Sequence, residues 1–263
     1  MLDKIEYIDY LEYVKNIPDN YVNLAILDPP YNIGVDKWDI VEDYYNWLIK
    51  VLTETERVSV DNASLYLWGT VKNNDFLRIK LWLDSNFKLM YKNWIVWIHE
   101  VKQHRQLVDR YLHKHEDLLF YAGENNTFNV VRDNPPEFQL KMHKNKYDEN
   151  FFIEHDKLPP SQQKIFKNGL QLGSPAKSWW KGPSNKSNAK KIKGFMGYKS
   201  KWVCERIISV SSNENDVVLI PFAGSGTECV SAMKLNRRFI SCEKDKEMYK
   251  VAINRITQDR LKI

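Results

Sequence analysis

The sequence predicts an α/β fold, in which helices cover both faces of a mostly parallel sheet. Three observations favour this class. Short apolar runs typical of buried strands alternate with segments of helical periodicity near both ends of the chain. One apolar run breaks abruptly into DPPY at residues 28–31, and another leads into the glycine-containing sequence FAGSG at residues 222–226. The stretch between these two ends of the chain lacks either periodicity.

The first part of the chain supplies alternating strands and helices. The run Val22–Leu27 is short, largely apolar and closed by two prolines, as expected of a strand buried on both faces of a parallel sheet. Further strands are predicted at Ala63–Trp68, Trp94–Ile98 and Asp117–Tyr121, and helices at Tyr44–Thr55 and Phe76–Ser85. This order is the βαβ pattern of a parallel sheet covered by helices.

The pattern stops in the middle of the chain. Residues 123–194 are rich in proline, asparagine, lysine and glutamine, which predicts a loop-rich insert with a short helix near Ser161–Asn168. Helices are then predicted at Lys201–Ser211, Thr227–Leu235 and Lys246–Ile256, and strands at Val217–Ile220 and Arg238–Cys242. Residues 1–122 and 195–263 therefore form two halves of one predicted domain, separated by the insert.

Composition limits the classes of function. The 263 residues are 43% hydrophobic and 28% charged, which is enough for a sizeable core, and a net charge of +5 is too small to identify an acidic partner. The cysteines, Cys204, Cys229 and Cys242, lack the spacing of a zinc site, and their odd number favours reduced intracellular thiols. No run resembles a signal peptide or a membrane span, so we expect a cytoplasmic protein that binds no metal and no membrane.

The sequence VVLIPFAGSGTECV, residues 217–230, has the pattern of a strand, a glycine turn and a helix. Gly224 and Gly226 let the backbone approach a ligand closely, beside the positive N-terminus of the helix. Such a turn holds a nucleotide-like cofactor, or it is only a tight connection. Glu243 ends the next strand, where nucleotide-binding sheets place an acid for ribose hydroxyls, although a solvated strand-end acid has the same pattern. The order of these features favours the cofactor site.

Together, the two motifs resemble those of the AdoMet-dependent amino-methyltransferases that act on exocyclic amines of DNA bases. DPPY precedes the insert and FAGSG follows it, which is similar to the circularly permuted motif order of the beta group. The resemblance covers nearly the whole chain outside the insert. It implies a Rossmann-like methyltransferase sheet, S-adenosyl-L-methionine (AdoMet) as the cofactor and double-stranded DNA as the substrate.

The same resemblance implies a set of cofactor contacts. Asp9 matches an acid that lies near the adenine of AdoMet in similar chains, and Lys199 belongs to a segment that leads into a helix there. The implied cofactor residues are Asp9, Asp28, Phe222, Ala223, Gly224, Ser225, Gly226, Thr227, Glu243 and Lys199. Arg110 and Glu116 fall where similar chains carry arginine and glutamate before a strand.

The catalytic prediction rests on the chemistry of an exocyclic amine, whose lone pair is delocalised into the ring. Acceptors for its N–H groups draw the nitrogen toward a tetrahedral, nucleophilic geometry. Asp28 is one acceptor and the Pro29 carbonyl is the other, because Pro29 and Pro30 stiffen the turn. Tyr31 stacks on the extruded base, unless it is only a packed aromatic beside the turn. The predicted catalytic residues are Asp28, Pro29, Pro30 and Tyr31, and no thiol is needed.

The target base follows from usage within the family that the chain resembles. Adenine-N6 members usually carry DPPY, whereas cytosine-N4 members more often carry SPPY. We therefore expect methylation of adenine N6, with cytosine N4 as the alternative. Similar chains often pair as dimers and often belong to restriction-modification systems, and the sequence is compatible with both.

A basic segment suits a nucleic-acid partner. Between Ser174 and Lys201 there are eight lysines and no acid, interleaved with aromatic residues. Lysines neutralise phosphates and aromatics stack on bases, whereas the alternative is a solvated loop. The predicted DNA contacts are Lys177, Trp179, Trp180, Lys181, Lys186, Lys190, Lys191 and Lys193. This segment does not distinguish DNA from RNA.

Several departures from the family pattern bear on cofactor binding. Ile220 stands where many relatives carry an acid, and Glu228 stands where a second threonine is common. Phe195 and Met196 replace the usual histidine and proline. These changes raise a second hypothesis, a methyltransferase-like DNA-binding partner subunit without turnover. The intact DPPY argues against it, because an inactive site has no need for that turn.

Overall fold

The computed structural model describes residues 1–98, 115–129, 132–133, 174–175, 178–181 and 199–260. The chain forms two compact units, one of Met1–Asn129 with Ser178–Ile263 and the other of Val130–Lys177. No helix in the described ranges is long and apolar enough to cross a membrane. The helix predicted near Ser161–Asn168 lies outside the described residues.

The described elements alternate along most of the chain. The strands are β1 (Lys4–Tyr7), β2 (Val22–Leu27), β3 (Ser59–Gly69), β4 (Met90–Ile98), β5 (His115–Ala122), β6 (Arg132–Asp133), β7 (Ser174–Pro175), β8 (Trp179–Lys181), β9 (Val217–Ile220) and β10 (Arg238–Glu243). The helices are α1 (Tyr10–Tyr13), α2 (Tyr44–Val58), α3 (Asn74–Asn86), α4 (Lys201–Ser211), α5 (Thr227–Lys234) and α6 (Lys246–Arg260), with 3-10 turns at Val14–Asn16 and Lys37–Asp39. In the second unit, β6 and β7 pair antiparallel.

The first unit is built on one sheet, whose described strands follow the order β1-β10-β9-β2-β3-β5-β4-β8. β2 pairs in parallel with β3 on one side and with β9 on the other. The connection from β2 to β3 passes through α2, and the connection from β9 to β10 passes through α5. These connections lead away from each other, so the carboxyl ends of β2 and β9 flank the crevice in which doubly wound sheets bind ligands.

The side chains of the central strands alternate between two cores. Leu24 and Ile26 of β2 join the core that α4, α5 and α6 cover. Ala25 and Leu27 join the opposite core, which α2 and α3 cover. All four side chains are almost completely buried, as the strand alternation requires. The predicted α/β class with helices on both faces is confirmed.

The strand directions correct one expectation. β2, α4 and β9 have the predicted ends, and β3, β4 and α2 run longer than predicted. However, β5 pairs antiparallel with both β3 and β4, so the expected parallel sheet is wrong at this edge. The sequence did not reveal this reversal because side-chain alternation determines which face a residue takes, not the direction of its strand.

The first two elements were missed in the sequence. β1 pairs in parallel with β10, with Lys4 opposite Ile240, so a partner distant in sequence holds it in place. α1 is a four-residue helix, capped by Asp9, whose Oδ1 accepts the Leu11 N–H at 2.9 Å. Elements as short as these span too few residues to show a period.

The short strand β8 contains Trp180, a predicted DNA contact whose side chain is buried. It pairs in parallel with β4 at the edge of the main sheet and belongs to the first unit. Trp180 is 7% exposed, and its ring centroid lies 6.4 Å from that of Trp202 and 5.1 Å from the guanidinium carbon of Arg206. Trp180 is therefore a core residue rather than a stacking residue on the protein surface, because strand alternation turns its side chain inward.

Candidate active site

A cavity of about 450 Å³ lies at the carboxyl ends of β2 and β9. The turn after β2, Asp28–Tyr31, forms one wall, and residues Pro221–Ser225 after β9 form another. The two turns meet because their strands are neighbours, with Ala25 opposite Leu219. Two motifs almost two hundred residues apart in sequence thus share one ligand-sized space.

Four side chains form a hydrogen-bonded group in this cavity, which we call the Lys199 cluster: Asp28, Tyr31, Glu116 and Lys199. Lys199 Nζ lies 2.8 Å from Asp28 Oδ1 and 3.0 Å from Glu116 Oε2. It also donates to the Tyr31 hydroxyl at 3.0 Å, and that hydroxyl lies 3.1 Å from Asp28 Oδ1 and 3.2 Å from Glu116 Oε2. The Lys199 side chain is 5% exposed, whereas those of Asp28 and Glu116 are 21% and 26% exposed. One buried cation therefore joins two carboxylates.

Burial and charge set the ionisation of the cluster. Burial raises the pKa of Asp28 above its ordinary value and outweighs the attraction of Lys199. Burial alone would lower the pKa of Lys199, but Asp28 and Glu116 raise it well above its ordinary value. Burial, followed by the charge of Asp28, raises the pKa of Tyr31. Lys199 is therefore a cation at neutral pH, and Tyr31 keeps its proton.

The cluster members come from three parts of the fold. Asp28 directly follows β2, and Glu116 lies at the start of β5. Lys199 precedes Ser200, the N-cap of α4. The resemblance implied that Lys199 contacts the cofactor. Its described bonds go to Asp28, Tyr31 and Glu116, and it lines the same cavity as residues 222–225.

A buried carboxylate that the sequence did not single out holds the loop after the DPPY turn. Asp39 is 1% exposed. Its Oδ1 accepts the backbone N–H groups of Tyr31 at 2.7 Å and Asn32 at 3.0 Å. Its Oδ2 accepts those of Ile33 at 2.8 Å and Val35 at 3.2 Å. An acid in a polar loop gives no local signal of this role, because its partners are set by how the loop closes.

The two glycines of the cofactor turn have different roles. Both have a positive φ, +49° at Gly224 and +77° at Gly226, which favours glycine. A Cβ at Gly224 would meet no atom within 4 Å, and this residue lines the cavity. A Cβ at Gly226 would come within 3.1 Å of the Ala252 side chain in α6. Gly224 therefore leaves room for a ligand, and Gly226 lets α5 pack against α6.

Glu243 and Asp9 are two of the acids that line the predicted cofactor side of the cavity. Glu243 Oε2 accepts the Gly224 N–H at 2.8 Å, and Glu243 Oε1 accepts the Asp245 N–H at 2.8 Å. Burial raises the pKa of Glu243. Asp9 Oδ2 lies 3.8 Å from Lys244 Nζ. Each carboxylate oxygen has a further lone pair, so both acids can also accept from ligand hydroxyl or amino groups.

The cavity brings together most of the predicted site residues. It is lined, among others, by Asp9, Asp28, Pro29, Pro30, Tyr31, Lys199, Phe222, Ala223, Gly224, Ser225 and Glu243. Gly226 and Thr227 do not line it, and the Thr227 hydroxyl bonds instead to Ser225 Oγ at 3.1 Å and to Arg255 Nη1 at 3.0 Å. Of the predicted DNA contacts, Trp179–Lys181 are described; Lys177, Lys186, Lys190, Lys191 and Lys193 lie outside the described residues.

A further carboxyl group, that of Glu228 in the first turn of α5, lines the same cavity. It is 6% exposed, and the Cys204 thiol donates to its Oε1 at 3.5 Å. Burial, followed by repulsion from Asp28, raises the pKa of Glu228 to about 7. Among the described residues, no group of His, Cys, Asp and Glu side chains is arranged as metal ligands.

The fold and the site define a class of protein: a permuted α/β methyltransferase with a DPPY turn beside its cofactor turn. Residues 22–254 match the family model of the N6/N4 DNA methylases, and the chain belongs to that family. The predicted enzyme class, a DNA methyltransferase, is confirmed. The family is AdoMet-dependent, so the predicted cofactor is confirmed as well.

Individual relatives agree with this assignment. The chain is 29% identical over 272 residues to the type II methyltransferase M1.MboII of Moraxella bovis. This match covers 94% of this chain and 93% of the relative. It is 28% identical over 260 residues to the DNA adenine methyltransferase YhdJ of Escherichia coli K12, covering 94% and 80%. The crystal structure of the M1.HpyAVI–SAM complex superposes with a TM-score of 0.60 at 22% identity, over 96% of this chain and 98% of that one. This likeness confirms the fold.

Proposed function

We propose that the protein methylates the exocyclic N6 amine of a flipped adenine at a specific site in double-stranded DNA. The observation that carries the proposal is the shared cavity, in which Asp28 of the DPPY turn and Gly224 of the cofactor turn line one space. The relative YhdJ is a DNA adenine methyltransferase, which supports adenine as the base. The relative M1.MboII is a type II methyltransferase, which supports a restriction-modification role.

Asp28 and Pro29 supply the two acceptors that an exocyclic amine needs. The Asp28 carboxylate and the Pro29 carbonyl accept its two N–H groups, which concentrates the lone pair on N6 and aims it into the cavity. Once alkylated, the nitrogen must lose a proton. Asp28 is the proposed acceptor for it, because burial raises its pKa and makes it a better base than an exposed aspartate.

The cofactor end of the cavity fits AdoMet. The space that a Cβ would occupy at Gly224 is open, as a close backbone approach to a ligand requires. In the proposal, residues 222–225 cradle the cofactor, Glu243 accepts from its ribose hydroxyls, and Asp9 accepts from its adenine amino group. When bound, AdoMet supplies the electrophilic methyl group.

Lys199 keeps Asp28 ready to accept. Its ammonium lies 2.8 Å from Asp28 Oδ1 and favours the ionised carboxylate, which offers only acceptor lone pairs. A substrate amine that bonds to Asp28 either takes the other oxygen, Oδ2, or displaces Lys199 from Oδ1. In the latter case Glu116 still holds the ammonium at 3.0 Å, so the cation is not left unpaired.

The mouth of the cavity suits an extruded base. Ile33, Val35 and Trp38 line the cavity and are at least one-third exposed, at 36%, 54% and 36%. The rings of Trp38 and Tyr31 can stack on a base, which offsets the few kcal/mol that flipping costs by about 1–3 kcal/mol per stacked base, and Ile33 and Val35 add apolar contact. Asp39 holds this loop in place through its four backbone bonds.

The insert, residues 123–194, is the proposed recognition element, with its lysines on DNA phosphates. The double substitution Lys190→Ala and Lys191→Ala should make DNA binding less salt-dependent: the negative slope of log K against log salt should become less steep by about two. An unchanged slope would show that these two lysines do not contact DNA phosphates.

The same proposal includes a homodimer and a cytoplasmic location. Sedimentation of the free protein tests whether it is a dimer.

Mass spectrometry of nucleosides tests the function directly. The purified protein is incubated with AdoMet and unmethylated double-stranded DNA of mixed sequence, and in parallel with RNA. The proposal requires N6-methyladenine in the DNA. N4-methylcytosine would show that the target base is cytosine, while the proposed chemistry of amine methylation would stand. Methylated RNA would show that the substrate is RNA rather than DNA. DNA binding without any methylated base would favour the partner subunit without turnover.

A further inference from the structure

We propose that Glu228 distinguishes AdoMet from its demethylated product, S-adenosylhomocysteine (AdoHcy), by setting a carboxylate against the positive charge of the methyl donor. The inference rests on the proposed function and deepens it, since it assigns a recognition residue within the same site. AdoMet carries a sulfonium cation, whereas AdoHcy has a neutral thioether at that place. The two ligands otherwise carry the same charged groups.

The position of Glu228 supports this role. α5 begins directly after the glycine turn, and Glu228 lies in its first turn and lines the cavity. The methyl group must lie between the Gly224 turn, which holds the cofactor, and Asp28, which holds the amine. Asp28, Lys199 and Glu228 all line this one cavity, so the Glu228 carboxyl faces the space in which the methyl transfer is proposed.

The contacts of Glu228 leave it poorly satisfied for a carboxyl that is 6% exposed. Its described side-chain bond is with the Cys204 thiol, a weak donor, at 3.5 Å. Its own backbone N–H gives further support. A carboxylate that loses water without a cation or a strong donor is destabilised, so an acid in this environment is suited to a cationic ligand.

The two ends of the predicted cofactor turn differ in what they present to the cavity. Ile220 is 1% exposed in β9 and does not line the cavity, and its carbonyl accepts the Ser241 hydroxyl at 2.8 Å. Glu228, after the turn, adds a carboxyl to the cavity. Of these two positions, only Glu228 offers the cavity an ionisable group.

The groups around Glu228 predict a proton linkage. Asp28, which follows β2, disfavours the ionised form of Glu228, whereas Lys199, which precedes α4, favours it. The Cys204 thiol on α4 has its pKa raised well above the ordinary value by burial, so it stays protonated. On α6, Arg255 Nη1 donates to Ser225 Oγ at 2.8 Å beside the start of α5. Glu243, at the end of β10, is one of the other carboxyl groups that line the cavity.

Because burial raises the pKa of Glu228 to about 7, the protonated and ionised forms of its carboxyl are both populated near neutral pH. A sulfonium in the cavity lowers this pKa, and the proton leaves as AdoMet binds. AdoMet affinity therefore rises with pH through about 7 and levels off above it. AdoHcy affinity lacks this dependence.

Calorimetry without DNA tests the inference. Titrations at pH 7 in two buffers of different ionisation enthalpy count the protons exchanged on binding. We expect net release of a fraction of a proton with AdoMet, shrinking as the pH is raised above 7, and almost none with AdoHcy. Glu228→Gln should abolish the release and weaken AdoMet binding about tenfold or more, while AdoHcy binding stays within about twofold. Cys204→Ser, which keeps a donor to Glu228, should retain the difference between the ligands.

Equal proton release with both ligands, or release that persists in Glu228→Gln, would overturn the inference. The ratio of AdoMet to AdoHcy affinity in the wild-type protein, measured across pH, gives the same answer if the variant does not fold: a ratio that is flat with pH refutes the role. AdoMet binding with the expected proton release, but without methylation of any nucleic acid, would overturn the proposed function and leave the role of Glu228 intact.

Discussion

Carboxylate groups at opposite ends of the cavity differ in what they bond. At the proposed catalytic end, Asp28 and Glu116 bond to the side chain of Lys199. At the proposed cofactor end, Glu243 bonds to the backbone N–H groups of Gly224 and Asp245. Side-chain pairs can exchange partners with a substrate, whereas backbone bonds hold a fixed frame. We therefore expect substitutions at the catalytic end to change turnover, and those at the cofactor end to change AdoMet binding.

The largest effect is expected at Asp28. Asp28→Ala removes one of the two amine acceptors and the proposed base, so turnover should fall by about a thousandfold or more, while the AdoMet dissociation constant changes less than about threefold. Methyl transfer to DNA and calorimetry with AdoMet measure the two quantities. A parallel loss of AdoMet binding, with unfolding unchanged, would show that the two ends of the cavity do not act separately.

The wild-type pH profile sharpens the same point. Asp28 accepts only when ionised, and burial raises its pKa above that of an exposed aspartate. Turnover should therefore fall as pH is lowered through this raised pKa, before exposed carboxylates are protonated. A rate that stays constant down to the ordinary pKa of aspartate, about 3.9, would contradict the role of Asp28 as an ionised acceptor.

The next effect is on stability, at Lys199. Lys199→Met leaves the Asp28 and Glu116 carboxylates without their cation and should lower the free energy of unfolding by about 2–3 kcal/mol, below the range for fully buried pairs because both acids keep some water. The loss should shrink as pH falls, since protonation removes the uncompensated charge. Urea unfolding at two pH values measures it.

Adding Glu116→Gln provides the control for this cluster. It removes one of the two carboxylate charges that Lys199 balances, so the double variant should recover part of the stability that Lys199→Met loses. Losses that simply add, with no recovery, would show that Lys199 contributes by packing rather than by pairing the carboxylates.

A smaller loss is expected at Asp39. Asp39→Asn keeps one acceptor oxygen but sets an amide NH₂ against two backbone N–H groups of the loop, at a cost of about 2 kcal/mol. Hydrogen exchange at Ile33 and Val35 and urea unfolding report it. The control is Asp36→Asn, an exposed acid that accepts the Lys37 N–H at 2.6 Å, for which we expect less than about 0.5 kcal/mol. Equal effects at the two positions would remove Asp39 as the anchor of the loop.

The smallest effects separate the two glycines. Both Gly224→Ala and Gly226→Ala force a Cβ into a positive-φ conformation, which costs about 1–2 kcal/mol. Gly224→Ala should also weaken AdoMet binding about tenfold, since its methyl group enters the cavity, whereas Gly226→Ala should leave AdoMet binding nearly unchanged. Ala252→Gly should relieve part of the Gly226→Ala defect, because the added Cβ lies 3.1 Å from Ala252. The same AdoMet affinity in both glycine variants would contradict this division.

The sequence identified the parts of the site that depend on local pattern. β2 and β9 are short apolar runs that are followed by turns. The residues of those turns, DPPY and FAGSG, are contiguous in the sequence, so both motifs could be identified directly from it. The parts that were missed depend on contacts between distant segments. Asp39 bonds to a loop that closes on itself, and Cys204 meets Glu228 only because α4 packs against α5. The reversed direction of β5 and the inward turn of Trp180 arise in the same way.

One measurement tests the central claim most directly. AdoMet that carries a trideuterated methyl group is incubated with unmethylated double-stranded DNA and either the wild-type protein or Asp28→Ala, and the nucleosides are analysed by mass spectrometry. The account predicts trideuteromethyl label on adenine N6 with the wild-type protein and none with the variant. Label on another base, or equal labelling by both proteins, would contradict the claim that the Asp28 turn methylates adenine.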